Sequence, residues 1–134
     1  MNDGKWLLWR AGGLPLALVL LAAGCRSEPV EPPGDAELAR STLTQVLDAW
    51  KAGKTSGDLK SGEPVVFARD EDWDAGRKLA DYEILEEPVQ NGGEWRVLAS
   101  LSVVGNQGRT SPTRVYYSVT PGSPASVVRS DYLY

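Results

Sequence analysis

Glu94-Trp95-Arg96-Val97-Leu98-Ala99-Ser100-Leu101-Ser102-Val103-Val104 is the cleanest alternating stretch of the chain. Trp95, Val97, Ala99, Leu101 and Val103 share one face, and Arg96, Ser100 and Ser102 share the other. That is the period-two pattern of a strand with one side buried. Before it, Gln90-Asn91-Gly92-Gly93 reads as a hairpin turn in which Asn-Gly supplies the positive φ angles. Residues 81–89 then form the preceding strand, with Tyr82 and Ile84 on one face and Pro88 marking an edge or the strand's end. After it, Gly105-Asn106-Gln107-Gly108 turns the chain again into a strand over 110–119, with Val115, Tyr117 and Val119 on a face. Pro112 suggests a bulge or a late start there, and a third turn at 121–124 leads to a last strand over 125–132. An antiparallel meander is the expected result.

The N-terminal side of the meander has a different period. Ala36, Ala39, Leu43, Val46, Leu47 and Trp50 lie three and four residues apart, or adjacent, and form one face of an amphipathic helix over 35–52. Asp35 is a good N-cap, Gly53 a natural stop, and Lys51 and Lys54 suit the negative end of the helix dipole. Residues 53–63 are rich in Gly, Ser, Thr and Lys, with a single helical turn expected near Asp58-Leu59-Lys60. Pro64-Val65-Val66-Phe67-Ala68 is a short strand or buried crossing segment. Asp70, Asp72 and Asp74 resemble the start of a calcium loop, but the sixth and twelfth positions are Ala75 and Asp81 instead of Gly and Glu. A short helix over 72–79 with Trp73 packed down is the simpler reading. Helices followed by a meander make an α+β domain, with the long helix packed on a curved antiparallel sheet.

Composition narrows the chemistry. The chain has 134 residues, a formal charge of −4, one cysteine and no histidine. Lys5, Arg10 and Asp3 leave the first 24 residues at +1, so the remainder carries −5. An acidic domain without a basic run has no footprint for nucleic acid. Any triad needing His, and zinc sites built from Cys and His, are excluded downstream of residue 25. No metal or cofactor is implied, and no catalytic residue stands out.

The one cysteine closes Leu20-Leu21-Ala22-Ala23-Gly24-Cys25, after an n-region holding Lys5 and Arg10 and an apolar run over 14–23. Ten residues are too few to span a bilayer, which takes about 18 or more. Charge, length and small-residue ending fit a signal peptide over 1–24. The stretch resembles the lipobox of bacterial lipoproteins. Ala23, Gly24 and Cys25 match its last three positions, and Ala22 stands where Leu is the commoner residue. The resemblance implies a lipid on the Cys25 sulfur and cleavage before it. Two or more acyl chains at about 0.8 kcal/mol per buried methylene then hold the chain on a membrane. Arg26, where Asp would retain such a protein at an inner membrane, implies the outer membrane of the cell envelope. An ordinary cleavage site with a free Cys25 thiol, or an uncleaved anchor, are the competing readings. From Cys25 to Gly34 the chain is Pro- and Glu-rich, a tether extending about 3.1 Å per residue. Residues 35–134 form a single domain.

Helix, short helical crossing and curved meander together resemble the cystatin-like cone of NTF2-like and SnoaL-like domains. Asp72-Trp73-Asp74-Ala75-Gly76 and Asp81-Tyr82-Glu83-Ile84 are similar to segments of small uncharacterised bacterial lipoproteins. The resemblance implies a cone-shaped pocket, for which Trp50, Phe67, Trp73, Tyr82, Trp95 and Tyr117 are the candidate lining residues. Their plainer reading is ordinary core. The function expected is that of a membrane-anchored binding or interaction module without catalysis. Its partners are the membrane through Cys25 and a protein or a small apolar ligand. The alternative is a SnoaL-like enzyme or small-ligand carrier acting in the cone. A third reading places a protein-binding surface on the outer sheet face, at Arg96, Ser100, Arg114 and Tyr116.

Overall fold

The computed structural model describes residues 31–130. The expected signal peptide, Cys25 and most of the expected tether lie outside the described residues, as do the last residues of the expected final strand. Three helices and six strands follow one another as α1 (Ala36–Lys51), α2 (Ser56–Lys60), β1 (Val66–Arg69), α3 (Glu71–Asp74), β2 (Leu79–Ile84), β3 (Val89–Asn91), β4 (Glu94–Val104), β5 (Thr110–Thr120) and β6 (Ala125–Ser130). The architecture is α+β: a curled mixed sheet, in effect a half-barrel, with α1 against its concave side.

Helix α1 forms where its apolar stripe predicts. The Asp35 carboxylate accepts from the Leu38 amide at 2.8 Å, which satisfies one of the donors left open at a helix start. Ala39, Leu43, Val46, Leu47 and Trp50 are buried against Val97, Ala99, Leu101, Val115, Tyr117, Val119 and Val127 of the sheet. Thr42, on the flank of the stripe, is buried too and donates its hydroxyl to the Leu38 carbonyl at 2.7 Å. Each fully buried Leu or Val contributes about 1.5–3 kcal/mol relative to exposure.

The sheet runs β1-β6-β5-β4-β2, with β3 beside β2 on the same edge of β4. One pairing departs from a meander. β1 runs parallel to β6, Val66 opposite Ala125 and Arg69 opposite Val128, so the sheet is mixed. The chain between β1 and β6 holds α3 and four other strands, and a crossover of that length is what a parallel pair requires.

Four local expectations are also corrected. The short helix is α3, Glu71–Asp74, and not 72–79. Asp70 caps it one residue earlier, and Gly76 at φ 83° ends it, with the Arg77 amide closing onto the Asp72 carbonyl. Leu79 can then start β2 opposite Val103. The single strand expected over 81–89 is two: β2 stops at Ile84, and buried Pro88, with no amide to donate, precedes β3. The hairpin loop is Gly92-Gly93, because Asn91 pairs with Glu94 inside the ladder and only Gly92, at φ 63°, takes a positive φ. Pro112 neither bulges nor delays β5. It pairs with Ser102 where β6 has not yet reached β5, so its missing amide faces an open edge.

The packing of α1 is open to a direct check. Leu43→Ala, at a site with no exposure, is expected to cost about 2–5 kcal/mol in urea unfolding. Leu38→Ala, on the exposed side of the same helix, is expected to cost less than about 0.5 kcal/mol.

Candidate functional site

The six aromatic positions separate into three environments. Trp50, Trp73, Trp95 and Tyr117 are buried in the core. Tyr82 is half-buried at its edge, donating to the Asp48 carboxylate at 2.5 Å. Burial, then the bond and charge of Asp48, push its hydroxyl up to about 12. Phe67 is 44% exposed on the convex face, because Val66 takes the inward position of that short strand. Trp95 donates its indole N–H to the Pro33 carbonyl at 3.1 Å and so pins Pro33 to the sheet.

Among the described residues, the gap between helix and sheet is closed. The gap bounded by Val46, Leu47, Trp50, Ala68, Asp70, Trp73, Tyr117 and Val127 leaves no volume for a water molecule. Of the six aromatic residues, Trp50, Trp73 and Tyr117 border this gap; Phe67 lies outside it.

One end of this packed interior is polar. Asp70, 3% exposed, follows β1 and turns its carboxylate inward. Its Oδ1 accepts from the amides of Asp72 and Trp73 at 2.9 and 3.2 Å, and its Oδ2 accepts from the Tyr117 hydroxyl at 2.5 Å. Arg129, directly across from Tyr117 in the β5–β6 ladder, approaches Asp70 at 3.4 Å and pairs with Asp72 at 2.6 Å. Arg77 pairs with the other oxygen of Asp72. Burial, then the Asp70 charge, drive the Tyr117 hydroxyl far above its ordinary value. Burial pushes the Asp72 carboxyl up, but hydrogen bonds and charge from Arg129 and Arg77 outweigh it and hold the group below the usual Asp value.

An Asp beside a Tyr is an acid–base pair in form. Here both oxygens of Asp70 already accept hydrogen bonds, and the tyrosine is held protonated with no space for a reactant beside it. The arrangement links the end of β1, α3, β5 and β6 through side chains. The three aspartates of the calcium-like run are dispersed among an N-cap, an arginine pair and a 3.5 Å contact with the Ser56 hydroxyl.

Two concavities of about 380 Å³ lie outside this interior, within the size range of small-molecule sites. One is a polar dent bordered by Asp72, Arg77, Asn106, Ser111, Thr113 and Arg129. The other lies between the turn after α1 and the turn after α3, over the edges of Trp50 and Trp73. On the convex face, Arg96 sits 3.9 Å over the Tyr116 ring, and Ser100 and Arg114 pair across β4 and β5. Phe67 and Val128 add exposed apolar surface there.

Sequence reasoning did not find Asp70, Asp72, Arg77 and Arg129 as a group. One signal was present. Ala125, Val127 and Arg129 share a face of the last strand, and an arginine in line with two core residues demands a buried carboxylate.

The network predicts two measurable outcomes. Tyr117→Phe, which removes one donor from a buried carboxylate, is expected to cost about 1–3 kcal/mol in urea unfolding. The folded-state value of Asp72 lies below the unfolded one, so its stabilisation is complete above about pH 4 and is lost as pH falls through the folded value. Unfolding measured from pH 6 down to pH 2.5 should show a steeper loss for the wild type than for Asp72→Asn; equal slopes would contradict the assignment. The chain matches no protein-family model, no curated protein and no solved structure.

Proposed function

We propose that this chain is a lipid-anchored protein of the cell envelope whose single domain is a non-catalytic binding or interaction module. Leu20 to Cys25 supports the anchor: an apolar run, small residues and then the one cysteine of the chain. A thioether at Cys25 would tether the domain, and residues 25–33 would space it by up to about 28 Å at 3.1 Å per residue. The bond from Trp95 to Pro33 gives that tether a fixed root on the folded body. Arg26 favours the outer of two membranes.

The observation that carries the binding-module reading is the filled interior. A helix laid in a curled sheet is consistent with an NTF2-like or SnoaL-like cone, and we read the domain as a cone of this type. Enzymes and carriers on such a cone need an open cavity. In this chain the surfaces remain: the two concavities and the convex face with Arg96, Ser100, Arg114 and Tyr116. The alternative, a SnoaL-like enzyme or carrier, draws on the Asp70–Tyr117 pair, and the closed network around that pair counts against it.

The anchor is tested in cells fed a radiolabelled fatty acid. Wild-type protein is expected to take up label and sediment with membranes. Cys25→Ser is expected to lose the label and leave the membrane fraction, and unchanged fractionation would refute the anchor.

A further inference from the structure

The cleft between the two post-helical turns is a concavity of about 380 Å³. One wall is Gly53, Lys54, Thr55 and Ser56; the other is Gly76, Arg77 and Lys78, with Asp74 beside it. The walls are cross-tied from below. Trp50, on α1, donates its indole N–H to the carbonyl of Arg77 in the far wall at 2.8 Å. Trp73, on α3, donates to the carbonyl of Lys54 in the other wall at 2.9 Å. Their rings stack with centroids 5.6 Å apart and planes 14° from parallel. The spacing of the walls is therefore set by the core before any ligand arrives, which lowers the ordering cost of binding.

Gly53 and Gly76 keep the two turns low. Both take positive φ, 89° and 83°, and a β-carbon at either would meet nothing within 4 Å. They hold the turn conformation and leave the cleft unfilled.

The charge of the cleft opposes that of the chain. Lys54, Arg77 and Lys78 border it against the one carboxylate of Asp74, on a chain of net charge −4. Arg77 is engaged by Asp72, whereas Lys54 and Lys78 form no ion pair within 4.0 Å among the described residues, although the charge of Lys54 reaches the Asp58 carboxylate. Lys54 and Lys78 thus border a cleft that reaches down to Trp50 and Trp73, which are 2% and 7% exposed, while the Thr55 hydroxyl accepts from the Asp58 amide and the Ser56 hydroxyl donates to Asp74.

We propose that this cleft is the ligand site of the binding module, a step that rests on the reading above, and that it takes a small organic anion. The ligand is a carboxylate or phosphate monoester carried on a compact apolar or aromatic body. The anionic group lies between Lys54 and Lys78, and the body lies on the edges of Trp50 and Trp73.

Full-length protein is purified in a neutral detergent and titrated calorimetrically with phenyl phosphate, benzoate and, as a neutral counterpart, benzyl alcohol. Saturable one-to-one binding of either anion, with none of benzyl alcohol, is expected, and the stronger anion identifies the head group. The double variant Lys54→Ala/Lys78→Ala should bind that anion at least tenfold more weakly. Both lysines are exposed, so its melting temperature should match the wild type. No saturable binding of either anion would overturn the proposal. So would equal affinity in the double variant, or benzyl alcohol binding as tightly as the anions. Fatty-acid labelling at Cys25 reports on the anchor alone, so loss of the anchor reading and loss of this site are separate results.

Discussion

A carboxylate buried without compensation is among the most costly features a small domain can carry, and Asp70 is buried between helix and sheet. Its compensation comes from four places in the chain: two amides of α3, the Tyr117 hydroxyl of β5 and the Arg129 guanidinium of β6. The last strand and the first short strand lie far apart in sequence, and they pair in parallel within this neighbourhood. The buried carboxylate is thus satisfied at the place where the sheet closes. In this arrangement Tyr117 and Arg129 converge on the Asp70 carboxylate from two neighbouring strands.

That closure decides where function can reside. With Tyr117 bound to Asp70 and the Trp50–Trp73 stack beside them, the gap between α1 and the sheet is closed among the described residues. The same tryptophans send their N–H groups outward to the Arg77 and Lys54 carbonyls, so the material that fills the interior also shapes the cleft above it. Core and candidate site share two side chains, and the site inherits the rigidity of the core.

The parts of this structure legible in the sequence are those set by local periodicity. The stripe from Ala39 to Trp50 and the alternation from Trp95 to Val103 are visible because burial of one face imposes a period on neighbouring residues. The parallel β1–β6 pair is not legible, since a pairing between Val66 and Ala125 leaves no local pattern. The extent of α3 depends on which of several adjacent acids caps it, and Asp70 wins because its second oxygen reaches Tyr117. Phe67 looks like core by type, and only the register of a four-residue strand sends it outward. The cleft is the least legible feature. Lys54 and Lys78 stand 24 positions apart in ordinary turn sequence and meet only through the Trp50 and Trp73 cross-ties.

The central claim is that the interior is filled and structural, leaving binding to the surface. A crystal of the protein pressurised with xenon tests it directly, because xenon enters apolar cavities that water leaves dry. No xenon is expected between α1 and the sheet. A xenon peak bounded by Leu47, Trp50, Tyr117 and Val127 would reveal an open cone and contradict it.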